Sequence, residues 1–90
     1  MALTSTTNKP LRILRISEVL IRQGLPKSTF YEKVKNQLMT PPVNLGQRSV
    51  GWPEHEVDEI TKALISGAST DQIKQLVIEL TEQRQLLFCA

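Results

Sequence analysis

Ninety residues with 40% hydrophobic and 22% charged side chains make one small globular domain, near the lower limit at which a single core sustains itself. That size and composition exclude a second domain and a membrane-spanning stretch, and the single Cys89 excludes an internal disulfide and suits a reducing cytosol. The net charge of +2 hides a lopsided layout: residues 1–52 hold eight Lys or Arg against Glu18 and Glu32, a net +6, whereas residues 53–90 hold three against seven acids, a net −4, so one surface is expected to face a polyanion.

The first ten residues, MALTSTTNKP, lack the basic n-region and apolar run of a signal peptide and read as a disordered lead (1–10). LRILRI (11–16) alternates apolar and basic side chains, as a short edge strand or an extended lead would. Ser17 offers an N-cap oxygen and Glu18 an acid in the first turn, which predicts a helix over 18–23 that Gly24 stops. After a short turn Pro26 presets φ for a second helix reaching to residue 38, where Ser28 or Thr29 can satisfy free N–H groups. Phe30, Val34 and Leu38 form its buried stripe; Tyr31 flanks the stripe, able to pack its ring and present its hydroxyl. Thr40, Pro41 and Pro42 are expected to end that helix.

VNLGQRSVGW (43–52) has strand alternation around a turn at Gly46 and Gln47, and a two-stranded hairpin must rest its apolar face on something, with Trp52 the obvious anchor. Pro53 suits position N1 of a third helix, Glu54 and Glu56 complement its dipole, Val57, Ile60 and Leu64 face inward, and Gly67 closes it. Ser69 and Gln72 have capping-box spacing for a fourth helix with the stripe Ile73, Leu76, Val77 and Leu80. That stripe either covers the domain's own core or forms a dimer seam, and QRQLLFCA beyond it leaves Leu86, Leu87 and Phe88 needing cover.

The order helix, tight Gly turn, helix, hairpin, helix is what a winged helix-turn-helix needs: mainly α with a small β-hairpin, here over 11–67, with a C-terminal helical extension over 68–90. Hydroxyls at the start of the second helix, Ser28 and Thr29, can join backbone N–H groups on a phosphate. Lys33, Lys35 and Arg48 can supply further phosphate contacts, and an arginine on a thin wing suits a narrow minor groove. Arg48 could instead pair with Glu54 or Glu56.

The run from about residue 11 to 66 resembles the AlpA-type phage regulators, which are related to MerR-like winged-helix proteins and to small excisionases. The resemblance rests on Leu14, Val19, Gly24, Lys27-Ser28-Thr29-Phe30-Tyr31, Pro42-Val43, Leu45-Gly46, Arg48-Ser49-Val50, Trp52, Glu54 and Glu56-Val57. It implies a cytoplasmic, nucleoid-associated bacterial or phage-encoded protein that binds double-stranded DNA as a transcriptional regulator, as an excisionase (recombination directionality factor) directing an integrase, or as both. By the resemblance, Lys27, Ser28, Thr29 and Tyr31 match the start of the recognition helix and Arg48 the wing arginine. The chain departs from the family pattern at Pro26, where a Ser cap is common, and at Gly51, where a basic residue is common.

His55 stands without a Cys or His at metal-ligand spacing, and no His lies beside a usable nucleophile. The acids of the third helix read as a polar face, so no metal, cofactor or catalysis is expected. The partners expected are DNA, an integrase, and a second copy through residues 70–88. A reading of another class is a protein-interaction adaptor that uses its acidic C-terminal half to hold an integrase or a signalling protein.

Overall fold

The computed structural model describes residues 11–89, with side chains described as far as residue 87; the expected lead at 1–10 lies outside the described residues. The elements in chain order are β1 (Ile13–Leu14), α1 (Ile16–Gln23), α2 (Lys27–Lys35), β2 (Val43–Gly46), β3 (Ser49–Pro53), α3 (Glu54–Ile65) and α4 (Thr70–Cys89). This is a mainly helical winged helix-turn-helix with a small antiparallel sheet and a C-terminal helix.

The sheet has three strands, not two, in the order β1-β3-β2. Leu14 lies opposite Trp52 and Ile13 opposite Pro53, and the Glu54 N–H continues the ladder to the Arg12 carbonyl at 2.7 Å. Within β1 Leu14 faces the core and Ile13 faces outward, and Leu11, Arg12 and Arg15 on either side are exposed, so only Leu14 of the apolar residues in LRILR is fully buried. Gly51 sits in the middle strand, and a Cβ there would stand 2.9 Å from the Leu14 carbonyl oxygen and collide with the Ile13 side chain. A basic residue at this position has no space in this chain, so Gly51 is an interior packing position rather than a wing contact.

Helix starts and stops differ from expectation where local signals compete. Helix α1 begins two residues early, with Arg15 as N-cap, because the Glu18 carboxylate reaches back to the Arg15 N–H at 3.3 Å; Ser17 lies inside the first turn. Gly24, at φ 66°, ends α1 as expected by returning its N–H to the Leu20 carbonyl at 2.8 Å. Helix α2 stops at Lys35, well before the prolines: Gln37 turns left-handed (φ 64°), and the Leu38 N–H closes back on the Lys33 carbonyl at 2.8 Å. Met39 and Thr40 are thereby carried into the core. Pro53 is the N-cap of α3 rather than its first residue.

Leu14, Val19, Phe30, Met39, Trp52, Val57, Ile60, Ile73, Val77 and Leu80 make one core, so α4 lays its stripe on its own domain. Ser69 and Gln72 form the expected capping box, with the Ser69 N–H to the Gln72 side chain at 2.8 Å and the Gln72 N–H to the Ser69 hydroxyl at 3.2 Å. The sequence reading of the α3 acids as a polar face fails at Glu56, which is fully buried. Arg84 of α4 meets both its oxygens, at 2.8 and 2.7 Å, and gives a further hydrogen bond to the Pro41 carbonyl at 2.7 Å. One arginine thus ties α4, α3 and the α2–β2 connection together. Trp52 adds a second tie to that connection, its indole N–H donating to the Thr40 carbonyl at 2.9 Å.

Candidate nucleic-acid interface

Helix α2 is held from behind and left open in front. Phe30 and Val34 point into the core, and with residues about 100° apart around a helix the opposite column is Ser28, Glu32 and Asn36, all three exposed. Lys27, Tyr31 and Lys35 occupy one shoulder of that face, and half-buried Thr29 and Lys33 the other. Tyr31 is 38% exposed and packs edge-on against Phe30 (centroids 5.9 Å apart) and Trp52 (6.2 Å), so the same ring is both support and surface.

The structure does not bring all seven expected residues onto one patch. Lys33 turns away into a groove of about 320 Å³ between α1, α2 and α3, beside Arg22, Gln23, Leu25 and Leu64. Lys35 lines a different groove, about 490 Å³, between the end of α2 and α4, beside Met39, Ile78 and Glu82. Lys27, Ser28 and Tyr31 remain with Lys35 on the exposed side of the helix. The α2 N-terminus has no side-chain cap and no acid in its first turn, because Pro26 has no oxygen to offer. Its first N–H groups are therefore open to an anion from outside the chain. Ser28 and Thr29 do not cap it, contrary to one expectation.

The hairpin carries Arg48 at its tip. Leu45 is an extra residue between the pairs Asn44–Val50 and Gly46–Ser49, and the Asn44 side-chain oxygen accepts the Gly46 N–H at 2.9 Å, tightening the bend. Arg48 itself adopts φ 56° and is exposed. Neither acid that might have claimed it does so. Glu54 pairs with Arg22 (2.6 Å) and Arg12 (3.7 Å), and Glu56 with Arg84. The Trp52–Tyr31 contact puts the base of β3 beside α2, with Arg48 roughly 13 Å further along the strand.

The cations of the chain divide by role. Arg12, Arg22, Lys62 and Arg84 are engaged by acids, and the Glu54 hydrogen bond, ahead of the Asp58 contact, holds the Arg22 guanidinium above its ordinary pKa. Among the described residues Lys27, Lys33, Lys35 and Arg48 make no ion pair. Arg15, before α1, and Lys74, on α4, are further exposed cations without an ion pair among the described residues, counted in the charge of the sequence but not singled out there. The position of Arg15 as the N-cap of α1, visible only once α1 is seen to start at Ile16, was the missing signal. Among the described residues no group of three or more His, Cys, Asp or Glu is placed to hold a metal ion, and no helix is long and apolar enough to cross a membrane.

An exposed second helix after a tight turn, backed by a first helix and flanked by a hairpin with a cation at its tip, defines a winged helix-turn-helix protein. A family model described as Prophage CP4-57 regulatory protein (AlpA) matches residues 12–63, from β1 to the last turns of α3, and the chain belongs to that regulatory family. The uncharacterized protein ORF88 of Enterobacteria phage P4 is 38% identical to it over 56 residues, 62% of this chain and 64% of that relative, so the match spans under two thirds of the relative's length. No solved structure matches the chain.

Proposed function

We propose that this protein binds double-stranded DNA, with α2 in the major groove and the β2–β3 wing against the flanking phosphates or minor groove. It acts there as a transcriptional regulator of prophage or integrative-element genes, as an excisionase, or as both. The observation that carries the reading is the clustering of unpaired cations: among the described residues Arg12, Arg22, Lys62 and Arg84 are neutralised by acids, whereas four of the six that make no ion pair, Lys27, Lys33, Lys35 and Arg48, lie on α2 and the wing, the others being Arg15 and Lys74. An uncapped α2 N-terminus beside Ser28 adds donors for a phosphate.

Fluorescence anisotropy with duplex DNA from the region upstream of the gene, and with scrambled duplex, tests this at two salt concentrations. Wild type is expected to prefer the native duplex and to weaken steeply with salt, and Arg48→Ala and Lys35→Ala are each expected to lower affinity and reduce the salt slope by about 1. A folded protein that binds neither duplex at low salt overturns the reading.

Exposed Ile78, Leu86 and Leu87 on α4 favour a protein partner as well, either an integrase or a second copy through residues 70–88. Because Ile73, Val77 and Leu80 serve the core, such a partner would use the outer residues of the helix. A protein that held an integrase but no DNA would be an adaptor instead.

A further inference from the structure

The middle of the outward face of α2 is acidic. Glu32 lies opposite the Phe30–Val34 stripe, between Ser28 one turn before and Asn36 one turn after, in the column that projects furthest from the core. It is exposed and its carboxylate has no hydrogen bond or ion pair among the described residues, although Lys33 is adjacent and Lys35 lies at the i+3 spacing that commonly pairs. The acids of α1 and α3 whose partners are defined behave otherwise: Glu18 takes Arg12, Glu54 takes Arg22, and Glu56 takes Arg84.

We propose that Glu32 is a specificity-determining residue that accepts a hydrogen bond from the exocyclic amino group of a cytosine in the major groove. This rests on the DNA-binding reading above. A carboxylate carried toward a duplex is repelled by the phosphates, so it weakens the grip on every sequence. The repulsion is offset only where a base edge presents a donor, because an ionised carboxylate can only accept. Guanine offers two acceptors in the major groove, thymine an acceptor and a methyl, and adenine a donor beside the N7 acceptor; cytosine alone offers an amino donor without an acceptor on the same base. Glu32 therefore penalises three bases and tolerates one, which is discrimination by repulsion as much as by attraction.

The test is selection of bound sites from a randomised duplex pool, followed by anisotropy on single-base variants of the selected site, with wild type, Glu32→Gln and Glu32→Ala. Thermal melting of all three checks that they fold alike, as an exposed helix position with good helix formers should. Wild type is expected to prefer cytosine at one position on the order of tenfold. Glu32→Gln should shift that preference toward adenine, which a side-chain amide matches, and Glu32→Ala should abolish it, while both variants bind scrambled duplex more tightly than wild type. Variants that tighten on all sequences while keeping the wild-type site profile would overturn the role of Glu32 and leave DNA reading intact. A folded wild type that binds no duplex would overturn both.

Discussion

Arg48 holds a left-handed backbone conformation at the tip of the hairpin, where glycine would sit without strain. Its side chain makes no ion pair among the described residues, so the strain is not offset within the domain. Arg48→Gly is therefore expected to raise stability by up to about 1 kcal/mol in urea denaturation while lowering duplex affinity in the anisotropy assay. Gln37 is in the same conformation at the end of α2, and Gln37→Gly should give a similar gain of about 1 kcal/mol by the same measurement. Trp52 and Gly51 behave in the opposite way. Trp52 is fully buried among Phe30 and Tyr31 and satisfies the Thr40 carbonyl, so Trp52→Ala should cost about 3–5 kcal/mol, enough to unfold much of so small a domain in a thermal melt. The anchoring role of Trp52 was legible in the sequence, since a lone Trp at a strand end on an apolar face has few other uses. The role of Gly51 was not, because what it touches is the carbonyl of Leu14, on a strand 37 residues earlier in the chain.

At the scale of elements, local chemistry was read well and competition between neighbours was not. The Ser69–Gln72 capping box and the Gly24 stop involve residues within five positions of each other, and both stand in the structure. The start of α1 was misplaced because Ser17 and Glu18 both offer capping oxygens, and the reach of the longer acid back to Arg15 prevails. The end of α2 was misplaced because Gln37 gives no compositional hint of its positive φ. Between elements the governing contact is Arg84 with Glu56. Arg84→Met leaves a buried carboxylate unpaired and should cost about 3–5 kcal/mol in denaturant melts, whereas Arg84→Met combined with Glu56→Leu should recover most of that loss. A double mutant no more stable than the single would mean that the arginine's bond to the Pro41 carbonyl, not its pairing with Glu56, holds the helix down.

For the whole molecule, the sharing of one core by α1 through α4 means that the hairpin and α2 depend on the C-terminal helix. A chain ending at residue 67 loses Ile73, Val77, Leu80 and Arg84 together, and it is expected to show no cooperative unfolding transition by circular dichroism. The charge split of the sequence is likewise redistributed by folding. Two acids of the second half, Glu54 and Asp58, cross over to neutralise Arg12 and Arg22 of the first, while the cations of α2 and the wing tip stay without an ion pair among the described residues. The sequence by itself determined the helix-turn-helix order, the hairpin with Arg48 at its turn, most of the apolar stripes and the family, because these depend on periodicity, turn residues and short-range spacing; Leu64, expected to face inward, is 42% exposed, and Leu38 lies beyond the end of α2. Only the tertiary structure decided that β1 completes the sheet, that Glu56 is buried against Arg84, that Lys33 leaves the exposed face of α2, and that Glu32 stands unpaired at its centre. Those outcomes depend on which distant side chains meet, and burial and ion pairing are settled by the three-dimensional neighbour rather than by the residue's own kind.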